Sequence, residues 1–191
     1  MDKFRDKTRD NLYDNLINLG VDCKLAKGKI VEEKLFNSWY QRSLGIIEIN
    51  ENTPVKYINI LKKDGGKDNP PRWWHYFAVP SEKIRSKEDL LDIQTTRKKN
   101  FPIFGKVKEI IWKPNSFGKS LAEIFTNDNE INNLAFEIGD IRVQSLHDNF
   151  SGYAIEIEPK GRKIGSRGNL NLTINHWNTI NKMAHLCLDL D

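Results

Sequence analysis

The residues best suited to chemistry are Asp140 and the trio Glu158-Pro159-Lys160. Asp140 precedes one predicted strand, Ile141–Leu146, and Glu158 follows the next, Tyr153–Ile157. Two carboxylates and a lysine therefore gather at one end of a predicted hairpin. Keeping Ile141, Val143, Ile155 and Ile157 on one face allows two registers, because a one-residue slip would turn that face outward. If Ile141 lies opposite Ile157, Asp140 faces Glu158 and Arg142 faces Glu156. Like charges directly opposite repel, so this register calls for a cation between the carboxylates. If Val143 lies opposite Ile157, Asp140 faces Lys160 and Arg142 faces Glu158. Every charge is then paired, and the row becomes surface salt bridges of small energetic weight. The second register is expected, since it needs no bound ion.

The order D…E-x-K across residues 140–160 resembles the pattern of the PD-(D/E)xK nucleases. It departs from that pattern at Gly139, where a proline is usual, and at Pro159, where an apolar residue is usual. The resemblance implies adjacent, paired motif strands, with Mg²⁺ held by Asp140 and Glu158 and the attacking water assisted by Lys160.

Gly118-Lys119-Ser120 stands between a predicted strand and a predicted helix, where a phosphate-binding loop keeps its G-K-S. That loop also needs a glycine five positions before Gly118. Lys113 occupies the position, and Pro114 after it lacks an amide donor. Nucleotide hydrolysis is not expected; what survives is an anion site made of Lys119, Ser120 and helix-terminal amides. Residues 160–168, K-G-R-K-I-G-S-R-G, carry Lys160, Arg162, Lys163 and Arg167 among three glycines and no acid. Such a loop either contacts phosphates or is a solvated connection. The run Arg72-Trp73-Trp74-His75-Tyr76-Phe77 offers aromatic rings that bases could stack on. Strand alternation separates Trp73, His75 and Phe77 from Trp74 and Tyr76, so at least one set belongs to a core.

The elements that must position these residues follow from periodicity. A helix is predicted over 2–19, ending at Gly20, and a second over Lys29–Arg42, with Val31, Leu35 and Trp39 on one stripe. Strands are predicted at Leu44–Ile49, Val55–Lys62 and Trp73–Val79, forming an antiparallel meander. Ser86 to Asp89 reads as a capping box opening a short helix through Ile93. Ile103–Trp112 reads as a strand, Ser120–Phe125 as a short helix, then the hairpin, then a helix over Thr173–Leu188 with Thr173 as N-cap. The expectation is a single α+β domain over 1–191, with 1–43 as a helical subregion. Its mainly antiparallel sheet of about five to six strands packs with N-terminal helices and a C-terminal helix.

The 191 residues carry 30 Lys+Arg and 26 Asp+Glu, a net charge of +4 that hides strong segregation. Residues 83–120 hold 10 basic against 4 acidic side chains, and 121–158 hold 1 against 8. The composition excludes collagen-like, low-complexity and disulfide-scaffold classes. Cys23 and Cys187 match no metal-ligand spacing and are expected as reduced thiols. With no apolar run long enough for a membrane span and no secretory signal, a cytoplasmic protein without membrane contact is expected. The leading functional expectation is a non-catalytic nucleic-acid-binding protein, without a cofactor. It would set Arg97, Lys98, Lys99, Lys106, Lys108, Lys160, Arg162, Lys163 and Arg167 against phosphates, with Trp74 as an aromatic contact. The alternatives are a Mg²⁺-dependent nuclease using Asp140, Glu158 and Lys160, and a protein-interaction domain recruiting partners through the acidic 121–158 segment.

Overall fold

The computed structural model describes residues 6–27, 41–82, 90–99, 107–146, 150–160 and 168–190. Within them the chain is α+β, built on one eight-stranded, wholly antiparallel sheet with four helices. The strands are β1 (Cys23–Leu25), β2 (Arg42–Ile49), β3 (Tyr57–Lys63), β4 (Arg72–Pro80), β5 (Asp92–Lys99), β6 (Val107–Pro114), β7 (Gly139–Leu146) and β8 (Gly152–Pro159). The helices are α1 (Thr8–Asn18), α2 (Lys119–Asn127), α3 (Asn129–Ile138) and α4 (Ile174–Leu188). No helix among the described residues is long and apolar enough to cross a membrane.

The sheet order is β1-β2-β3-β4-β8-β7-β5-β6. The first four strands form the expected meander. After β4 the chain moves to the far edge, lays down β5 and β6, and returns through α2 and α3. It then inserts the β7–β8 hairpin between the two halves. The hairpin is thereby paired on both sides, to β4 and to β5. The β5–β6 pair closes the sheet, and its outer strand carries Lys108, Lys113 and Pro114, residue types that blunt an edge against pairing with another chain.

All four helices cover one face. Their apolar stripes (Leu12 and Leu16; Leu121 and Phe125; Ile131, Leu134 and Ile138; Trp177, Ile180 and Met183) close on Ile58, Ile60, Phe77, Ile141, Val143, Ile155 and Ile157. The opposite face holds a smaller cluster of Leu61, Trp74, Tyr76, Ala78, Phe150 and Ala154. Both faces of β4 are therefore buried, where alternation required at least one. Asp128 caps α3 by accepting from the Glu130 and Ile131 amides. Thr173 caps α4 as expected, with the His176 ring as the reciprocal partner of the capping box.

Three expectations are corrected. The helix read through Ile93 gives way to β5 from Asp92 onward, while Ser86–Asp89 lies outside the described residues. α3 was not expected, although Ile131, Leu134, Ala135 and Ile138 follow helical spacing behind a capping Asp128. The sheet has eight strands because β1 and β5 join it. Of the helix expected over Lys29–Arg42, residues 29–40 lie outside the described set, and Arg42 opens β2.

Candidate nucleic-acid interface and the carboxylate row

The β7–β8 hairpin adopts the register that the charge argument disfavoured. Ile141 pairs with Ile157, so Asp140 stands opposite Glu158 and Arg142 opposite Glu156. Gly139 fits this pairing closely: a Cβ there would lie 2.0 Å from the Glu158 carbonyl oxygen, at a backbone φ of +157°. The cations that make the register tolerable are guanidinium groups from the flanking strands. Arg97 of β5 donates to Asp140 (Nε to Oδ1, 2.5 Å). Arg72 of β4 grips Glu158 with two nitrogens, the Nε contact at 2.7 Å. Arg142 turns to Asp92 with a two-pronged contact of 2.8 and 2.6 Å. The hairpin considered alone lacks these arginines, and for that reason its charges pointed to the wrong pairing.

Lys160 donates to the carbonyl of Phe136 at the end of α3 and lies 5.2 Å from the centre of that ring. Arg97 reaches the same helix end, donating to the carbonyl oxygens of Ala135 (2.5 Å) and Phe136 (3.5 Å). Both cations thus neutralise the negative end of α3. Among the described residues, no group of three His, Cys, Asp or Glu side chains is placed to hold a metal ion. Glu156, not among the site residues expected from the sequence, is a perturbed carboxylate beside this row. Burial raises its pKa, against Arg142 and a hydrogen bond from Tyr76. Its opposition to Arg142 was readable in the sequence; its burial under neighbouring strands was not.

The aromatic run is packed rather than displayed. Trp74 and Tyr76 are each 7% exposed, and His75 and Phe77 are fully buried. Arg72 lies over the Trp74 ring, 5.1 Å from its centre. On the other face the Trp73 indole donates to Asp6 at 3.1 Å, beside Lys62 at 2.8 Å. Trp74 is therefore corrected from an exposed contact to a core residue.

The G-K-S segment also has a packing explanation. A Cβ on Gly118 would lie 2.5 Å from Ile93, so glycine is required there by the approach of α2 to β5. Lys119 and Ser120 follow, exposed, in the first turn of α2. Comparison with protein-family models, curated proteins and solved structures finds no match for the chain.

The β5–β6 pair lies at the margin of the sheet, with Ile110 and Trp112 of one face buried in the core and the Trp112 ring 4.9 Å from that of Phe125 in α2. β5 pairs with β7 only across Asp92–Gln94, whereas it pairs with β6 from Ile93 to Lys99. Beyond Gln94 the backbone ladder to β7 is replaced by the Thr95 hydroxyl, which donates to the Ile141 carbonyl and accepts from its amide. Among the described residues, the remainder is a two-stranded ribbon anchored at its base by Arg97. Lys98, Lys99 and Lys108 are exposed near its outer end, with Lys98 3.3 Å from Glu109. The register shifts between Lys98 and Lys99, which pair with Glu109 and Val107 and leave Lys108 unpaired in the ladder. Lys106, Arg162, Lys163 and Arg167 lie outside the described residues.

The acidic 121–158 segment maps onto α2, α3 and the inner hairpin. Much of its charge is answered internally: Lys182 of α4 bridges Asp128 and Glu130 at 2.6 and 2.7 Å, and His176 bonds Glu137 at 2.8 Å. The His176 Nδ1 accepts from the Thr173 amide, so in the neutral ring Nε2 carries the proton and donates to Glu137.

Proposed function

We propose that this protein binds nucleic acid without catalysing a reaction on it, and that the β5–β6 ribbon is its contact element. The observation that carries the reading is the ribbon itself. β5 leaves its backbone ladder with β7 after Gln94, Arg97 ties the pair to Asp140 and to the end of α3, and exposed lysines 98, 99 and 108 stand near its outer end. Lysines on a preorganised backbone suit phosphate contacts, which give position and affinity without base chemistry. A Mg²⁺-dependent nuclease needs Asp140 and Glu158 turned to one shared cation. Each is instead held by its own arginine, which favours binding over cleavage.

The test is affinity for a mixed-sequence nucleic acid as a function of salt. Binding should weaken steeply as salt rises, because each neutralised phosphate releases counterion. Changing Lys98, Lys99 and Lys108 together to Glu should flatten the dependence of log K on log salt by about 3 contacts' worth, roughly 0.9 per contact. No binding at low salt, or a triple variant that binds like the parent, would overturn the reading.

A further inference from the structure

We infer that this protein associates with a second copy of itself, the outer edges of the two β6 strands pairing antiparallel about a two-fold axis at Ile111. This goes beyond the binding reading above and does not depend on it. The first observation is an open ladder. Among the described residues β6 pairs with β5 alone. Asn115 donates to the Asp92 carbonyl at 2.8 Å, and this contact sets the alternation along the strand. Glu109, Ile111 and Lys113 turn their backbone groups to β5, while Ile110 and Trp112 turn theirs to the edge. Such a row of outward N–H and C=O groups is a template for another strand.

The second observation is charge, which selects one register. Ile110 and Trp112 are buried, so both copies keep them on the helix-covered face, and opposed residues share a face. With Ile111 on the axis, Ile110 opposes Trp112 of the partner subunit, and Glu109 opposes the partner's Lys113. With Ile110 on the axis, Lys113 would oppose a valine; with Trp112 there, an isoleucine. Only the first register answers Lys113 with a carboxylate, and the two-fold repeats that pair on the other side. Lys98, already 3.3 Å from Glu109, extends the row with alternating sign. The residues that blunt this edge therefore guard it against other registers. Pro114 falls at the end of the paired stretch, where its missing N–H costs one bond.

The third observation is an apolar overhang. β6 and β7 are each antiparallel to β5, so α2 and α3 form a crossover between parallel strands. Such crossovers are right-handed, and α2 returns antiparallel to the strand it follows. With Leu121, Ala122 and Phe125 turned to the core, that hand directs the flank bearing Phe117 and Ile124 away from β7, past the edge of β6. Phe117 is 43% exposed and Ile124 41%. The two-fold axis runs perpendicular to the sheet, so the helices of both copies lie on one side of it. Each α2 then meets the other across the junction, and the overhanging side chains cover one another.

The experiment is sedimentation equilibrium of the full chain without nucleic acid, at concentrations up to about 0.1 mM. It should give twice the chain mass of 22.2 kDa. Lys113→Glu sets two carboxylates against each other and should weaken the dimer at least about tenfold. Glu109→Lys should do the same, and the double variant carrying both changes should recover. Ile124→Ser, at an exposed site, should weaken the dimer by about tenfold through lost apolar cover. Ile111→Cys should cross-link to its own copy under mild oxidation, because the axis brings the two within disulfide reach. A monomer at every concentration overturns the inference. So does a dimer that ignores the charge changes and leaves Ile111→Cys uncross-linked, since another surface then joins it. Folded single variants that dissociate without recovery in the double variant overturn the register.

Discussion

The two hairpins of the second half of the sheet, β7–β8 and β5–β6, are both charged and have different fates. β7–β8 lies between β4 and β5, so Asp140 and Glu158 each meet an arginine from a neighbouring strand. β5–β6 lies at the sheet's edge, and its lysines meet mainly solvent. A motif of the same polarity therefore becomes structure at the centre and surface at the margin. The lesson is that strand order, more than residue type, decides which charges can meet a ligand. The inner hairpin should be sensitive to small covalent changes and to pH; the outer ribbon should tolerate them and respond only in binding.

The largest effect should come from Gly139→Ala. The new Cβ meets the Glu158 carbonyl at 2.0 Å, and backbone cannot swing aside as a flexible side chain can. With the positive φ added, a loss of about 3 kcal/mol or more is expected, seen as a large fall in Tm or a failure to fold. Gly66→Ala, with nothing within 4 Å, should stay within about 0.5 kcal/mol. A mild Gly139→Ala would mean that the central register is looser than its contacts indicate.

Acid should act next, and through the same seam. His75 of β4, opposite Ile157, is fully buried, and neither ring nitrogen makes a full hydrogen bond. Burial pushes its pKa down to about 3, against a pull the other way from the Ile157 backbone. Between its unfolded value of 6.5 and about 3, the unfolded chain holds a proton that the native chain does not. Stability therefore falls as pH falls through that window, by roughly 2–3 kcal/mol between about pH 6 and pH 4. Asp6 adds to this only further down. Burial raises its pKa, but hydrogen bonds from Lys62, Thr8 and Trp73 together hold it well below the usual carboxylate range. Glu156 works in the opposite sense: its pKa is raised, so acid relieves its burial as pH drops toward 4.5. Denaturant unfolding across this range should show the slope, and His75→Leu should flatten it. An unchanged slope in that variant would remove His75 as its cause.

The same contrast explains what could be read in advance. The meander and the helix capped by Thr173 were legible because buried residues recur at the period of their element. β5 was missed because only Ile93 of D-I-Q-T-T-R-K-K is buried; the paired threonines were its remaining strand signal. β1 is three residues long and leaves no period to detect. α3 follows helical spacing at Ile131, Leu134, Ala135 and Ile138, but it abuts α2 across Asp128 and runs directly into β7 at Gly139, so its apolar period blurs into its neighbours'. The hairpin register could not be decided locally, since Arg97 and Arg72 lie 43 and 86 residues away from the carboxylates they hold. Trp74 was misplaced for a related reason: alternation separates two faces but does not say that both are covered.

The smallest effects should separate the two arginines of the carboxylate row. Arg97 has a side chain only 12% exposed and serves both Asp140 and the end of α3. Arg97→Ala removes this donor from the Ala135 carbonyl and the Asp140 carboxylate, while Phe136 keeps Lys160, and a loss of about 2 kcal/mol is expected. Lys at this position cannot reproduce the fork, so Arg97→Lys should recover only part of it. Arg72 is 55% exposed, and its contact with Glu158 is a solvated pair, so Arg72→Ala should cost below about 1 kcal/mol, part of it lost packing on Trp74. The order matters more than either value. If Arg72→Ala proves the more damaging, the row is held from the β4 side. The ribbon's anchor at Arg97 would then be incidental to its rigidity. If Arg97→Ala is the more damaging and also weakens nucleic-acid binding, with exposed lysines 98, 99 and 108 intact, the anchor acts by holding the ribbon in place.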